Sequence, residues 1–246
     1  MNICLFTSQE INSPLLLSDE RATHLIKILH KKEGDTFTAG VIGEKAGIAT
    51  ITKIDSEKIY FSFEATSDGK PLNPVKMIIG FPRPIQLKRL LRDIAALGIC
   101  EVHLTGTELG EKSYMKSTLV EKGNAYKMLL DGTVQAGSTH VPELFLHQTL
   151  KECLDFLEAD NSSSLKIALD NINPTDSLNN VLKNKKNDNI SSVVAAIGSE
   201  RGWTDKERNL LESFGYIRSG MGERIMRTET AATVSASIIL AQLGKI

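Results

Sequence analysis

The chain is predicted to be α/β and built in two parts, on three observations. Short β-branched and aromatic runs with polar breaks fill the first 66 residues. A turn-rich stretch, SDGKPLNP at Ser67–Pro74, follows and reads as a linker. Beyond Pro74, strand-like and helical stretches alternate, which predicts a mostly parallel sheet covered on both faces. The expected parts are residues 1–72, a small β-barrel with one helix, and residues 73–246, an α/β domain.

In the first part, Thr36–Val41, Gly47–Ile54 and Lys58–Ala65 read as strands, with Gly40, Gly43 and Gly47 supplying turns. Ser18 is placed to cap a helix over Arg21–His30. In the second part, Val75–Gly80 is strand-like. Pro84 opens a helix with an apolar face of Leu87, Leu90, Leu91, Ile94 and Leu97, stopped by Gly98. Ile99–Leu104 is a strand, Thr118–Val134 a helix, Leu146–Leu157 a helix and Leu165–Asp170 a strand. A short helix is expected over Pro174–Leu182, and a polar exposed loop at Lys183–Asn189. Ser192–Ile197 reads as a buried strand. Thr204 and Glu207 match a capping box, Tyr216–Arg218 a short strand, and Thr228–Leu243 a closing helix.

Composition narrows the function classes. The chain has 246 residues, 41% hydrophobic and 24% charged, enough for a core of ordinary size. No apolar run is long enough for a transmembrane helix, and MNICLFTSQE lacks the regions of a signal peptide, so a cytoplasmic protein without membrane association is expected. The cysteines Cys4, Cys100 and Cys153 are far apart in apolar surroundings, which suits buried thiols. With the histidines scattered and no CxxC or HExxH, no metal site is expected. A net charge of −1 argues against non-specific nucleic-acid binding but allows a local basic face. Two clusters qualify: His24, Lys27, His30, Lys31 and Lys32, and Arg83, Lys88, Arg89 and Arg92. Each cluster alone is more often a solvated helix face than an RNA site.

The chemistry concentrates near the C-terminus. Ser191–Gly202 reads SSVVAAIGSERG, an apolar run ending in a glycine-bracketed turn. Ser219–Ala231 reads SGMGERIMRTETA, a second glycine-bracketed loop running into a helix. In an open α/β sheet, ligands bind where loops leave the carboxyl ends of strands, so these two loops define the candidate site. GxGxxG after the first α/β strand, GxxxxGK[ST] and GxSxG are absent, which removes the ordinary dinucleotide, P-loop and nucleophile-elbow readings. Gly198 and Gly202 permit sharp turns beside a ligand. Glu200 and Arg201 between them could be exposed turn residues, with Arg201 the only basic neighbour of Glu200. Arg224, Arg227 and the Thr228-Glu229-Thr230 helix start make a positive site suited to phosphate or a developing oxyanion. Glu229 also occupies a first turn where a carboxylate stabilises the helix dipole, and Thr228 and Thr230 could be caps.

These two loops carry a resemblance. IGSERGWTDKE followed by SGMGERIMRTETA resembles the RsmE-type family of 16S ribosomal RNA uracil-N3 methyltransferases, in the knotted SPOUT class. The family forms are GPEGG and LGxRILRTETA. Gly222, Arg224, Ile225, Arg227, Thr228, Glu229, Thr230 and Ala231 match the second. LSDERATHLIKILHKKEGD resembles the family's PUA-like domain, with His24, Leu29, Gly34 and Asp35 in place, and Ala96–Leu104 looks like its ELGV segment. Departures are Ser199 and Arg201 in GSERG, Val134 and Ser138 where the family has the Glu and Arg of EQxGR, and His30 in place of an Arg. Gln135 and Gly137 of that segment are kept.

The resemblance implies a PUA-like RNA-binding β-barrel over 1–72, a SPOUT methyltransferase domain with a trefoil knot over 73–246, and a homodimer. It implies S-adenosylmethionine as cofactor, held by Leu169, Asp170, Ile197, Gly198, Glu200, Gly202, Ser219, Gly220, Met221, Gly222, Ile225, Met226 and Thr228. Catalytic roles fall to Arg224, Arg227 and Glu229, with Glu200 as an alternative proton acceptor, and RNA contacts to His24, Lys27, His30 and Lys31. The expected partner is ribosomal RNA or the small ribosomal subunit. The alternatives are a SPOUT RNA methyltransferase with another target, 2′-hydroxyl or base, and a non-catalytic RNA-binding relative.

Overall fold

The computed structural model describes residues 2–121, 123–159, 164–185 and 192–246. It divides into two compact units, Met1–Leu72 with Leu130–Val141, and Asn73–Leu129 with Pro142–Ile246. The contiguous stretch expected for 73–246 is therefore interrupted. Leu130 and Val134 pack on Ile3, Leu5, Ile42 and Ala46 of the first unit. Ser138 donates to the carbonyls of Gly69 and Lys70 at 3.0 Å each.

The first unit holds β1 (Cys4–Phe6), β2 (Leu15–Leu16), α1 (Glu20–Thr23), a π-helical turn over His24–Ile28, β3 (Thr36–Val41), β4 (Ala46–Ile54) and β5 (Lys58–Ser67). The sheet order is β1-β3-β4-β5-β2, with β1 parallel to β3 and the other pairs antiparallel. Register shifts in β4 at Ala46/Gly47 and Ile51/Lys53 are bulges that curl the ladder. Gly47 lies so close to Glu64 that any Cβ would collide with that residue's backbone. Phe6, Leu25, Phe37, Ile51 and Ile59 form the core.

The helix expected over Arg21–His30 is shorter and differently capped. Asp19, not Ser18, accepts from the Arg21 amide. One α turn gives way to the wider π turn, where the Leu29 amide reaches His24, and His30 at φ 51° ends it in the left-handed region. Arg21 anchors the segment. Its guanidinium meets Glu10 at 2.9 Å, Asp19 at 2.8 Å and the Leu5 carbonyl at 2.8 Å, and lies 4.8 Å over the Phe6 ring.

The second unit carries β6 (Asn73–Gly80), α2 (Pro84–Ala96), β7 (Ile99–Thr105), α3 (Lys112–Met115), α4 (Thr118–Glu121), α5 (Asn124–Ala136, ending in the first unit), β8 (Glu143–His147), α6 (Leu150–Glu158), β9 (Ser164–Leu169), β10 (Asp176–Ser177), α7 (Leu178–Lys185), β11 (Ser192–Ile197), α8 (Asp205–Ser213), β12 (Ile217–Gly220) and α9 (Thr228–Gln242). Its seven strands run β10-β12-β9-β11-β6-β7-β8, and every pairing is parallel. Helix contacts fall into two groups, α2, α7 and α9, and α6 with α8. Val194, Ala196, Ala168 and Ile78 pack with Leu150, Cys153, Leu154, Trp203 and Leu211 of the α6 and α8 side. Strand periodicity turns Val193, Ala195 and Ile197 to the opposite face, and α9 touches both β11 and β6. No helix is long and apolar enough to cross a membrane among the described residues.

Three expected helices are corrected. The one over Thr118–Val134 is split at Gly123, whose φ of +68° cannot continue a helix; Lys122 lies outside the described residues. The stretch Leu146–Leu157 is two elements. Glu143–His147 pairs with β7 as an edge strand, and Thr149 then caps α6 by accepting from Glu152 N. The edge position leaves β8 mostly unburied, which hides its alternation. The helix placed at Pro174 begins at Leu178. Asn173 sits at φ 46°, Asp176–Ser177 pairs with β12, and the Ser177 hydroxyl accepts from Asn180 N. Lys183–Lys185 close this helix instead of opening a loop; residues 186–189 of that expected loop, and Ser191, lie outside the described residues. The Thr204 capping box forms with Glu207 as read.

Candidate active site

The carboxyl ends of β12, β9 and β11 are neighbours in the sheet, beside the place where strand order reverses at β6. Their loops enclose a cavity of ≈ 300 Å³. Leu169, Asp170, Ile197, Gly198, Glu200, Gly202, Ser219, Met221, Gly222, Ile225, Met226 and Thr228 of the expected cofactor set line it, and so does Arg224. Gly220 does not. It ends β12 against Pro174, whose Cγ would stand 3.0 Å from a Cβ. Arg227 and Glu229 also lie off the lining, on the first turn of α9, Arg227 exposed as its N-cap residue and Glu229 half-buried.

Hydrogen bonds tie the loops together. The Asp170 amide donates to the Ser219 carbonyl at 3.1 Å. The Trp203 indole donates to Leu169 O at 3.1 Å. The Thr228 hydroxyl donates to Gly198 O at 3.3 Å, so Thr228 joins the two loops instead of capping α9. Close approach enforces glycine here. A Cβ on Gly80 would stand 2.5 Å from the Ser199 amide nitrogen, and one on Gly198 2.9 Å from the Gly202 carbonyl carbon.

The floor is ionic. Asp170 and Arg208, with side chains 1% and 9% exposed, meet at 2.6 Å. A second carboxylate, Asp205, reaches Arg208 at 2.8 Å. The Asp170 hydrogen bond holds the Arg208 guanidinium above its ordinary pKa. Sequence reasoning misses Arg208 and Trp203, which a capping box and a lone tryptophan do not advertise. The expectation that Glu200 has only Arg201 for a basic neighbour is corrected, because Arg83 at the start of α2 meets it at 3.2 Å. The Glu200 charge raises the Arg83 pKa in turn.

At the mouth, Arg224, Ile225 and Arg227 are exposed, Ile225 by 83%. Among the described residues neither arginine has an ion-pair partner. The buried Ser199 hydroxyl also lacks a partner among them, although it lines the cavity. Buried hydroxyls are normally satisfied, so this one fits a polar ligand group. In the first unit, Lys27 and His30 are exposed on or just after the π turn, and His24 and Lys31 are half-buried.

Residues 69–240 match the family model described as an RNA methyltransferase domain. Over 98% of its length the chain is 36% identical to "Ribosomal RNA small subunit methyltransferase E" of Treponema pallidum, covering 91% of that protein. It is 33% identical over 98% of both chains to "Ribosomal RNA small subunit methyltransferase E 1" of Borreliella burgdorferi. The chain therefore belongs to the ribosomal RNA small subunit methyltransferase E family. Among solved structures it shares its fold with the Neisseria gonorrhoeae methyltransferase E bound to S-adenosyl methionine, with a TM-score of 0.75, 19% identity, and 98% and 97% of the two chains covered. A Porphyromonas gingivalis protein gives a TM-score of 0.77 at 17% identity over 98% of both chains.

Proposed function

We propose that this protein uses S-adenosylmethionine to methylate uracil N3 at one uridine of small-subunit ribosomal RNA. The observation that carries the reading is the cavity between the Gly198–Gly202 and Ser219–Thr228 loops, with Arg224 on its wall. The Neisseria relative, bound to S-adenosyl methionine, supports the cofactor. The unpartnered Ser199 hydroxyl and the glycines at Gly198 and Gly202 fit it. When bound, S-adenosylmethionine supplies an electrophilic methyl group.

The chain's own residues have three tasks. The backbone of Gly198–Gly202 and the apolar side chains of Leu169, Ile197 and Met226 bind and orient the cofactor. Uracil N3 must lose its proton to become nucleophilic. Glu229 takes that proton, and Arg224 or Arg227 stabilises the negative charge spread onto O2 or O4. Glu200 is the weaker choice of base, since Arg83 already engages it. Rigid positioning supplies much of the remaining acceleration. Because N3 lies on the Watson–Crick edge, the target base must be unpaired or flipped.

The rest of the reading follows the family. The first unit acts as a PUA-like barrel, a closure that the β4 bulges favour, and grips RNA through His24, Lys27, His30 and Lys31. The three cavity loops lace into a trefoil knot, as the resemblance to the family implies. The exposed Ile225 suits a homodimer whose partner covers the mouth, while the small residues Ala231, Ala232, Ser235 and Ala236 of α9 are buried within the chain's own fold. Nucleoside mass spectrometry of ribosomal RNA from cells with and without the gene tests the proposal. Loss of 3-methyluridine at one small-subunit position is expected. An unchanged 3-methyluridine signal with loss of another methylated nucleoside would replace uracil N3 as the target.

A further inference from the structure

On the α6 side of the sheet, three side chains that do not line the cavity converge from three elements. They are His103 of β7, His147 of β8 and Cys153 of α6. Their donor atoms lie within 4.8 Å of one another, and all three residues are buried. His103 Nδ1 and His147 Nε2 face each other at 3.1 Å. Behind His103, Nε2 meets the Glu101 carboxylate at 3.0 Å, and Lys76 holds the other Glu101 oxygen at 2.9 Å. Phe145 stacks on His103 at 4.7 Å, and Phe156 lies against both histidines.

We propose that His103, His147 and Cys153 form a zinc site, with Glu101 as the positioning residue behind His103. A carboxylate only accepts, so the Nε2 proton of His103 points at Glu101 and its Nδ1 lone pair points into the cluster. This carboxylate–histidine arrangement orients metal-bound imidazoles. Imidazole and thiolate together select a borderline ion such as zinc over magnesium or calcium, which want oxygen ligands. Tetrahedral zinc with bonds of about 2.0–2.3 Å needs its donors roughly 3.3–3.8 Å apart, so each donor moves by less than about 1 Å. Binding exchanges the Cys153 thiol proton for the ion and shifts the His147 proton to Nδ1. The fourth position falls to water. The ion would clamp β7, β8 and α6 together, independently of methyl transfer. The separation of its ligands along the chain hides the group from motif reading.

The purified protein, stripped with a chelator, is titrated with zinc under native mass spectrometry and with cobalt(II) in a spectrophotometer. One ion per chain is expected, with a thiolate-to-cobalt charge-transfer band in the near ultraviolet. Cys153→Ser should lose that band, and Glu101→Gln should keep it while weakening zinc about 10–100-fold. Cys100→Ser, a half-buried cysteine outside the cluster, should bind as the unmodified protein does. The unmodified protein needs no variant to decide the matter. If it binds no zinc, or binds cobalt without the thiolate band, the cluster is only a hydrogen-bonded histidine pair. Unchanged zinc affinity in folded Cys153→Ser would overturn the proposal equally.

Discussion

The floor and the mouth of the cavity differ in how completely the fold determines them. At the floor, Asp170 and Arg208 are buried together, Asp205 adds a second partner, and Trp203 is hydrogen-bonded to Leu169. At the mouth, Arg224, Ile225 and Arg227 are exposed, and neither arginine has an ion-pair partner among the described residues. Groups satisfied within the chain hold its shape. Groups left to solvent are available for charge that arrives with a substrate. We propose that the floor carries stability and the mouth carries chemistry, and each half can be tested.

The largest effect should come from breaking the floor. Arg208→Ala leaves the Asp170 carboxylate buried without its partner and should cost about 3–5 kcal/mol of stability. Urea unfolding, followed by the fluorescence of Trp203, measures it. A loss well below that range would mean that water reaches the pair and that the floor is no more determined than the mouth. Next in size is the mouth itself. Arg227→Ala should lower methylation about 10²–10³-fold with an unchanged unfolding midpoint. Near-normal turnover would remove Arg227 from the mechanism, and the same assay on Arg224→Ala then decides between the two.

Between floor and mouth lie the glycines. Gly198→Ala forces a Cβ toward the Gly202 carbonyl and should cost about 1–3 kcal/mol. Calorimetry should find weaker S-adenosylmethionine binding; unchanged affinity would show that this loop does not shape the cofactor site. The smallest expected change is Thr204→Ala, which removes the α8 cap and its bond to Glu108 for about 1 kcal/mol. That change should appear in thermal melting and leave methylation alone.

Much of this was legible in sequence wherever one element carries its own signal. Ser192–Ile197 is an almost wholly apolar run, and it is a central strand. Thr204 and Glu207 announce a capping box, and it forms. Pro84 and Gly98 bracket α2. The glycine-bracketed loops supply much of the cavity lining, although Gly220, Arg227 and Glu229 lie off it. The misses share a cause. β8 is an edge strand whose alternation is blurred by exposure on both faces. α1 depends on Asp19 accepting from Arg21, a choice that residue type alone does not make over Ser18. Sequence proximity pairs Glu200 with Arg201, although its partner Arg83 comes from another helix.

By itself the sequence determined what is local or motif-borne: strand and helix identity for long periodic segments, the glycine turns, and family membership through RTETA and its surroundings. Only the tertiary structure decided which distant groups meet. Asp170 finds Arg208, His103 finds His147 and Cys153, and Leu130–Val141 returns to the first unit. Periodicity marks which face of a strand is buried. Which residues then lie across that face depends on strand order, and parallel strands joined by long crossovers bring together residues far apart in the chain.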